Sequence, residues 1–199
     1  MDVLTRSTMP LAARLHLALR RPRSGIGRRL AWQIPIVAAL VVVSVIAAGP
    51  SLSAVPLAYL AVVTPELVRV DVRSHRLPNR LVVPGIAFGL VSAATELAIT
   101  GIPPVPQLIA GAAYAAFLLL LCVTGGMGMG DVKLGAALGL ASWLPFVGVT
   151  SPVVAFLAGG VASVILLARH GRGGRIAFGP FLLAGFWAAV MLVAWVTRG

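Results

Sequence analysis

WQIPIVAALVVVSVIAAG, residues 32–49, runs from end to end without a charged side chain. A helix needs about 20 residues to cross the hydrocarbon core of a bilayer, and this stretch approaches that length. Backbone placed in lipid has to satisfy its own hydrogen bonds, so the spanning form is a helix. Six further apolar stretches follow, at 53–70, 81–100, 105–124, 132–149, 151–168 and 177–197. The fifth and sixth are short and separated only by GVTS, so the count is about seven, or six if that hairpin does not form. GIAFG, IAGAA, GAALG and LAGGVAS place small residues inside the spans, where helix backbones can approach closely. No repeat of fixed period is evident. The expected fold is an all-α, polytopic membrane helix bundle.

Composition agrees. The 199 residues are 59% hydrophobic and 11% charged, with a mean hydropathy of +1.01. A soluble domain of this size cannot hide that much apolar surface, so lipid has to cover much of it. Sixteen Lys and Arg against five Asp and Glu give a net charge of +11. The arginines sit in an N-terminal arm and in loops, with few aromatics among them, which suits anionic lipid headgroups and not nucleic acid. Cys122 is the single cysteine, which excludes an internal disulfide and a zinc site of paired CxxC motifs. His16, His75 and His170 lack metal-ligand spacing, and no cofactor is implied.

Charge also orients the chain. Residues 1–31 form a basic cytoplasmic or interfacial arm, in which LAARLHLALRR has the pattern of a short amphipathic surface helix. A basic stretch before an apolar one is also the layout of a signal peptide. Here the basic part is long for that, and an uncleaved first span is expected. The connections VRVDVRSHRLPNR and ARHGRGGR are basic, whereas AGPS, GIPP and GVTS contain no Lys or Arg. The positive-inside rule then puts the N-terminus in the cytoplasm and the chain in the cell membrane as a multi-pass protein.

That map brings Asp71 and Asp131, 60 residues apart, to one membrane face at similar depth. Taken alone, Asp71 reads as an interfacial carboxylate paired with an arginine. Arg73, Arg76 and Arg80 fall on one helical stripe, and Pro78 closes or bends the helix. Asp131 alone reads as an N-cap after a glycine-rich turn. A cap needs one glycine, however, and GGMGMGD supplies Gly125, Gly126, Gly128 and Gly130. Glycines at alternate positions admit another helix or an extended peptide. Lys133, the only lysine, either sets the local charge balance or snorkels. Two carboxylates in a poorly solvated site do not both ionise easily. One keeps a proton while the other takes one from water, which activates that water against a peptide carbonyl. The residues therefore describe a candidate aspartyl protease. The other class they fit is a small proton- or ion-coupled transporter or channel, which would prefer acids near mid-bilayer and repeat symmetry.

GMGMGDVKLGAALG resembles the GxGDxKL signature of the type IV prepilin peptidase family, GxGD-type intramembrane aspartyl proteases. DVRSHRLPNRLVVPG is similar to that family's other motif, an aspartate followed by basic residues and (I/L)-P-(N/D). RIAFGPFLLAG is similar to the stretch opening the family's last helix. The resemblance covers roughly residues 55 to 190 in family order. It implies that Asp71 and Asp131 are catalytic and that residues 32–199 are a transmembrane peptidase domain. It further implies that Gly128 and Gly130 let Asp131 approach, and that Pro78 and Asn79 close the helix carrying Asp71. The implied substrate is a pilin-like precursor, cut between a basic leader and a hydrophobic helix at the cytoplasmic face. Larger members have a domain with paired cysteines and also methylate the product. This chain has no such cysteines, so methyltransferase activity is not expected. Its size fits the compact, peptidase-only type of tight-adherence (Flp) pili, or the related archaeal preflagellin enzymes. Intact acids at both motif positions stand against a catalytically silent assembly protein.

Overall fold

The structure is a computed structural model that describes residues 24–170 and 177–198. The amphipathic stretch expected at LAARLHLALRR, and the centre of the basic connection ARHGRGGR, lie outside the described residues. Residues 1–35 and 36–199 form two compact units. Of the first, the described part is helical. The second holds the bundle.

Among the described residues there are seven helices and no strand: α1 (Ser24–Ala48), α2 (Ala54–Ser74), α3 (Asn79–Thr100), α4 (Val105–Val123), α5 (Met129–Leu140), α6 (Pro145–His170) and α7 (Gly179–Val196). The chain is thus a polytopic helical membrane protein. Five of the helices, α1, α3, α4, α6 and α7, are long and apolar enough to cross a bilayer. α2 carries Glu66, Arg69, Asp71 and Arg73 in its second half, and α5 has only 12 residues.

The spans expected at 132–149 and 151–168 are divided differently. The helix opening near 131 stops at Leu140, and GVTS is not a loop but part of α6. Residues 141–144 make the turn, with Ala141 and Ser142 buried. At 1.5 Å per residue α5 is about 18 Å long, against about 30 Å of hydrocarbon. It does not traverse the membrane by itself. It is a core helix, in which Val132, Leu134, Gly135, Ala137, Leu138, Gly139 and Leu140 are all buried.

Glycines make that burial possible. A Cβ on Gly89 of α3 would fall 2.7 Å from the Leu140 side chain, and one on Gly111 of α4 would also come within 2.7 Å of it. Leu140 therefore plugs a notch between α3 and α4. A Cβ on Gly139 would lie 2.5 Å from the Ala110 carbonyl oxygen, so backbone meets backbone there. Gly139→Ala is expected to destabilise the bundle by about 2 kcal/mol, the scale of overpacking. An unchanged thermal midpoint in detergent would contradict this packing.

Around α5 the core is completed by Leu57, Leu60 and Leu67 of α2 and by Leu182, Leu183, Phe186 and Val190 of α7. Trp187 Nε1 donates to Thr64 Oγ1 at 2.9 Å, and that hydroxyl donates to the Leu60 carbonyl at 2.6 Å. No polar group of this pin is left unpaired between α2 and α7. Elsewhere the long helices turn valine, isoleucine and leucine outward, as at Val62, Ile99, Leu120 and Val164. That surface requires lipid.

Candidate active site

α2 ends where His75 adopts a left-handed conformation (φ 51°) and its N–H bonds to the Asp71 carbonyl at 2.8 Å. The helix is therefore closed by His75, not by Pro78 and Asn79. Pro78 is extended and sits at the N-cap of α3, and Asn79 is that helix's first residue. Because the chain breaks between the two helices, Arg73, Arg76 and Arg80 do not share a helical stripe. Arg73 lies in the last turn of α2, Arg76 in the turn that follows and Arg80 in the first turn of α3, all three exposed.

Asp71, on the last turn of α2, is only 4% exposed. Among the described residues its partner is not an arginine but the start of α7, where it accepts the Gly179 N–H on Oδ2 at 2.9 Å. A helix N-terminus offers unpaired N–H groups and a favourable dipole to a negative charge. A Cβ at position 179 would lie 2.6 Å from that same oxygen, so only glycine permits the approach.

Asp131 is the third residue of α5 and is half-buried. It is not the N-cap. Gly128 holds that place in an extended conformation, and its N–H donates to Asp131 Oδ2 at 3.3 Å. The Asp131 N–H returns a bond to the Gly128 carbonyl at 3.0 Å. Gly125, with φ 82°, turns the chain out of α4, and the Gly126 N–H bonds back to the Leu121 carbonyl at 2.9 Å. The glycine run thus supplies one left-handed turn and one cap. Its third use is contact: a Cβ on Gly130 would stand 3.0 Å from Leu77 Cβ. Leu77, buried in the turn after α2, also has its Cδ2 within 3.5 Å of where a Gly179 Cβ would lie. It is a wedge between the two glycines that adjoin the acids.

Lys133 points elsewhere. Its Nζ donates to Asn79 Oδ1 at 3.0 Å, tying the first turn of α5 to the first turn of α3. Of the seven candidate residues, Asp71, Gly128 and Asp131 line one cleft, and Gly130, Lys133, Pro78 and Asn79 hold its frame from outside.

The cleft has a volume of about 680 Å³. Asp71, His75, Asp131 and the glycine turn form one wall, and Leu121, Met127, Phe156 and Phe178 give it an apolar side. Phe178 meets Phe156 and Phe181 with its ring tilted to each, and Phe156 meets Phe117 edge-on. Among the described residues lining the cleft there is no lysine or arginine. Nor do the described residues group three His, Cys, Asp or Glu side chains in a way that would hold a metal ion.

Both acids lie outside the five long apolar spans. Burial pushes the Asp131 carboxyl up to about 6, the negative charge of Asp71 adds to this, and the Gly128 N–H opposes it. Asp71 is raised by its own burial, against which the Gly179 N–H and His75 act. The pair therefore holds one proton more readily than two isolated carboxylates would.

Comparison with known sequences bears on what such a site belongs to. The sequence model of the type IV leader peptidase family matches residues 57–193, which include both acids and run from the first turn of α2 to the last turn of α7. The chain belongs to this family. Among curated leader peptidase relatives, the prepilin leader peptidase/N-methyltransferase of Pseudomonas putida is 30% identical over 191 residues, covering 88% of this chain and 64% of that protein. The protein of the same description from Aeromonas hydrophila is 35% identical over 139 residues, covering 65% of this chain and 46% of that protein. The chain spans about half to two thirds of the length of these relatives. No solved structure matches it.

Sequence reading gave no role to Leu77, Phe156 or Gly179. The first two carry no signal beyond hydrophobicity. Gly179 does, since it lies in the FGPF stretch, but only the fold brings that stretch to Asp71.

Proposed function

We propose that the protein is a membrane aspartyl endopeptidase that removes the basic leader of pilin-like precursors at the cytoplasmic face, with Asp71 and Asp131 activating water between them. The observation that carries this is one cleft lined by both carboxylates, brought from the end of α2 and the start of α5. Family membership supports a leader peptidase. One ionised and one protonated carboxyl supply the base and the acid that peptide hydrolysis needs, without a metal or a covalent intermediate.

The cleft suits such a substrate. A basic leader meets carboxylates there, although the chain as a whole carries +11. Local attraction at the site offsets the general repulsion, while the surrounding arginines face lipid headgroups. The aromatic side suits the apolar segment that follows the leader. Peptidase activity is proposed without methyl transfer, so the new N-terminus should lack the mass of a methyl group.

Co-expression with a pilin-like precursor tests the reading, through the appearance of the shortened product. Topology is tested separately. Ser74→Cys and Met127→Cys, each in a Cys122→Ser background, should react with a membrane-impermeant reagent from the cytoplasmic side only. Labelling only from outside would reject the proposed orientation. Lys133 and Asn79 are proposed to set the spacing of the acids through their hydrogen bond. Lys133→Met and Asn79→Ala should each slow turnover by about fivefold. The double variant should be no slower than either, as expected for partners in one interaction.

A further inference from the structure

We infer that Gly179 is a positioning residue that makes Asp71 the ionised member of the pair and the base toward water, leaving Asp131 as the acid. The inference rests on the peptidase reading and adds a division of labour between two residues of the same type.

Three observations carry it. The first is the contact itself, in which the buried Asp71 carboxylate accepts the N–H of the first residue of α7 at 2.9 Å. A carboxylate that is 4% exposed needs such compensation to keep its charge. The second is steric: any side chain at position 179 would collide with Oδ2 at 2.6 Å. Glycine is not needed there for backbone freedom, since Gly179 is not among the positive-φ glycines of the described residues, which are Gly49, Gly101 and Gly125. Its use is to let α7 reach the acid. The third is the contrast with Asp131, whose Gly128 N–H lies farther off at 3.3 Å.

Among the described residues, the charged neighbours do not reverse this. Asp71 faces His75 on the turn after its own helix and Asp131 on α5. α7 has no titratable side chain. Arg80 on the first turn of α3 is exposed, and Lys133 on α5 is engaged by Asn79.

Asp71 takes a proton from water as the water oxygen bonds to the scissile carbonyl carbon, and Asp131 gives its proton to the carbonyl oxygen. In the second half the C–N bond breaks and Asp71 passes its proton to the leaving amine. Asp131 recovers a proton from one hydroxyl of the tetrahedral intermediate. One water is consumed and both acids return to their starting state.

The test uses the full chain in lipid vesicles and has two parts. Infrared difference spectra are recorded below the pH at which Asp131 ionises, against the double Asp71→Asn/Asp131→Asn variant. The carbonyl stretch of the protonated carboxyl should disappear in Asp131→Asn and persist in Asp71→Asn. The opposite pattern overturns the assignment. No substrate is needed, so this result and a failure of the peptidase reading are separate events. Gly179→Ala then probes the positioning role. The acidic limb of its kcat/KM profile should move up by about one pH unit, the scale of a lost hydrogen bond to a charge, with the alkaline limb in place. A fall in rate with both limbs unmoved would reduce Gly179 to a packing residue and overturn the inference. If Gly179→Ala does not insert, the infrared comparison alone decides, because both Asn variants keep the glycine.

Discussion

Asp71→Asn and Asp131→Asn should each reduce precursor cleavage by roughly 10²–10⁴-fold, the range that a general acid or base contributes. Asparagine keeps the shape of the side chain and can still accept the Gly179 or Gly128 N–H through its Oδ1, so insertion and folding are expected to be normal. What it cannot do is exchange a proton with water or with the carbonyl oxygen. The proposed mechanism uses the two acids as a unit, so the double variant should be no slower than either single one. Quantitative immunoblotting of precursor and product, in cells expressing equal amounts of each variant, reads this directly. Efficient cleavage by either single variant would remove the pair from the mechanism. Multiplying losses would mean that the acids work in separate steps.

The same substitution at Asp131 should make the protein more stable near neutral pH. Its carboxyl is pushed up to about 6 from a model-peptide value near 4, mainly by burial and then by the charge of Asp71. The folded state therefore holds this proton more tightly than the unfolded state does. Stability from this group is full below the unfolded value, falls as pH rises through the interval, and is lost above about 6. The difference between the folded and unfolded values corresponds to about 3 kcal/mol. Asp131→Asn carries no charge to desolvate and escapes the penalty. Its thermal midpoint in detergent should exceed that of the parent at about pH 7.5 and approach it at about pH 4. An equal midpoint at the higher pH would show that the acid is better solvated than its surroundings imply. Gain of stability with loss of activity is the signature of a residue kept for chemistry.

Much of this protein was legible along the chain. Apolar length alone specified a helical membrane bundle, because unpaired backbone in lipid is too costly for other forms. Charge asymmetry between loops brought Asp71 and Asp131 to one side, and the glycine run marked Asp131 as more than a cap. These are local or additive properties, and a sequence states them without reference to contacts.

Tertiary structure decided the rest. Hydropathy could not distinguish a helix buried in protein from one facing lipid, since both are apolar. The region from 132 to 168 therefore read as two spans, where a short core helix and a long outer one exist. Similarly, charge spacing put Arg73, Arg76 and Arg80 on one stripe only for as long as the helix was assumed to continue past His75. The partner of Asp71 lay 108 residues away, at a backbone N–H that every residue except proline possesses. No composition or spacing marks such a donor. It becomes specific only when α7 is packed against α2 closely enough that a single methyl group would not fit.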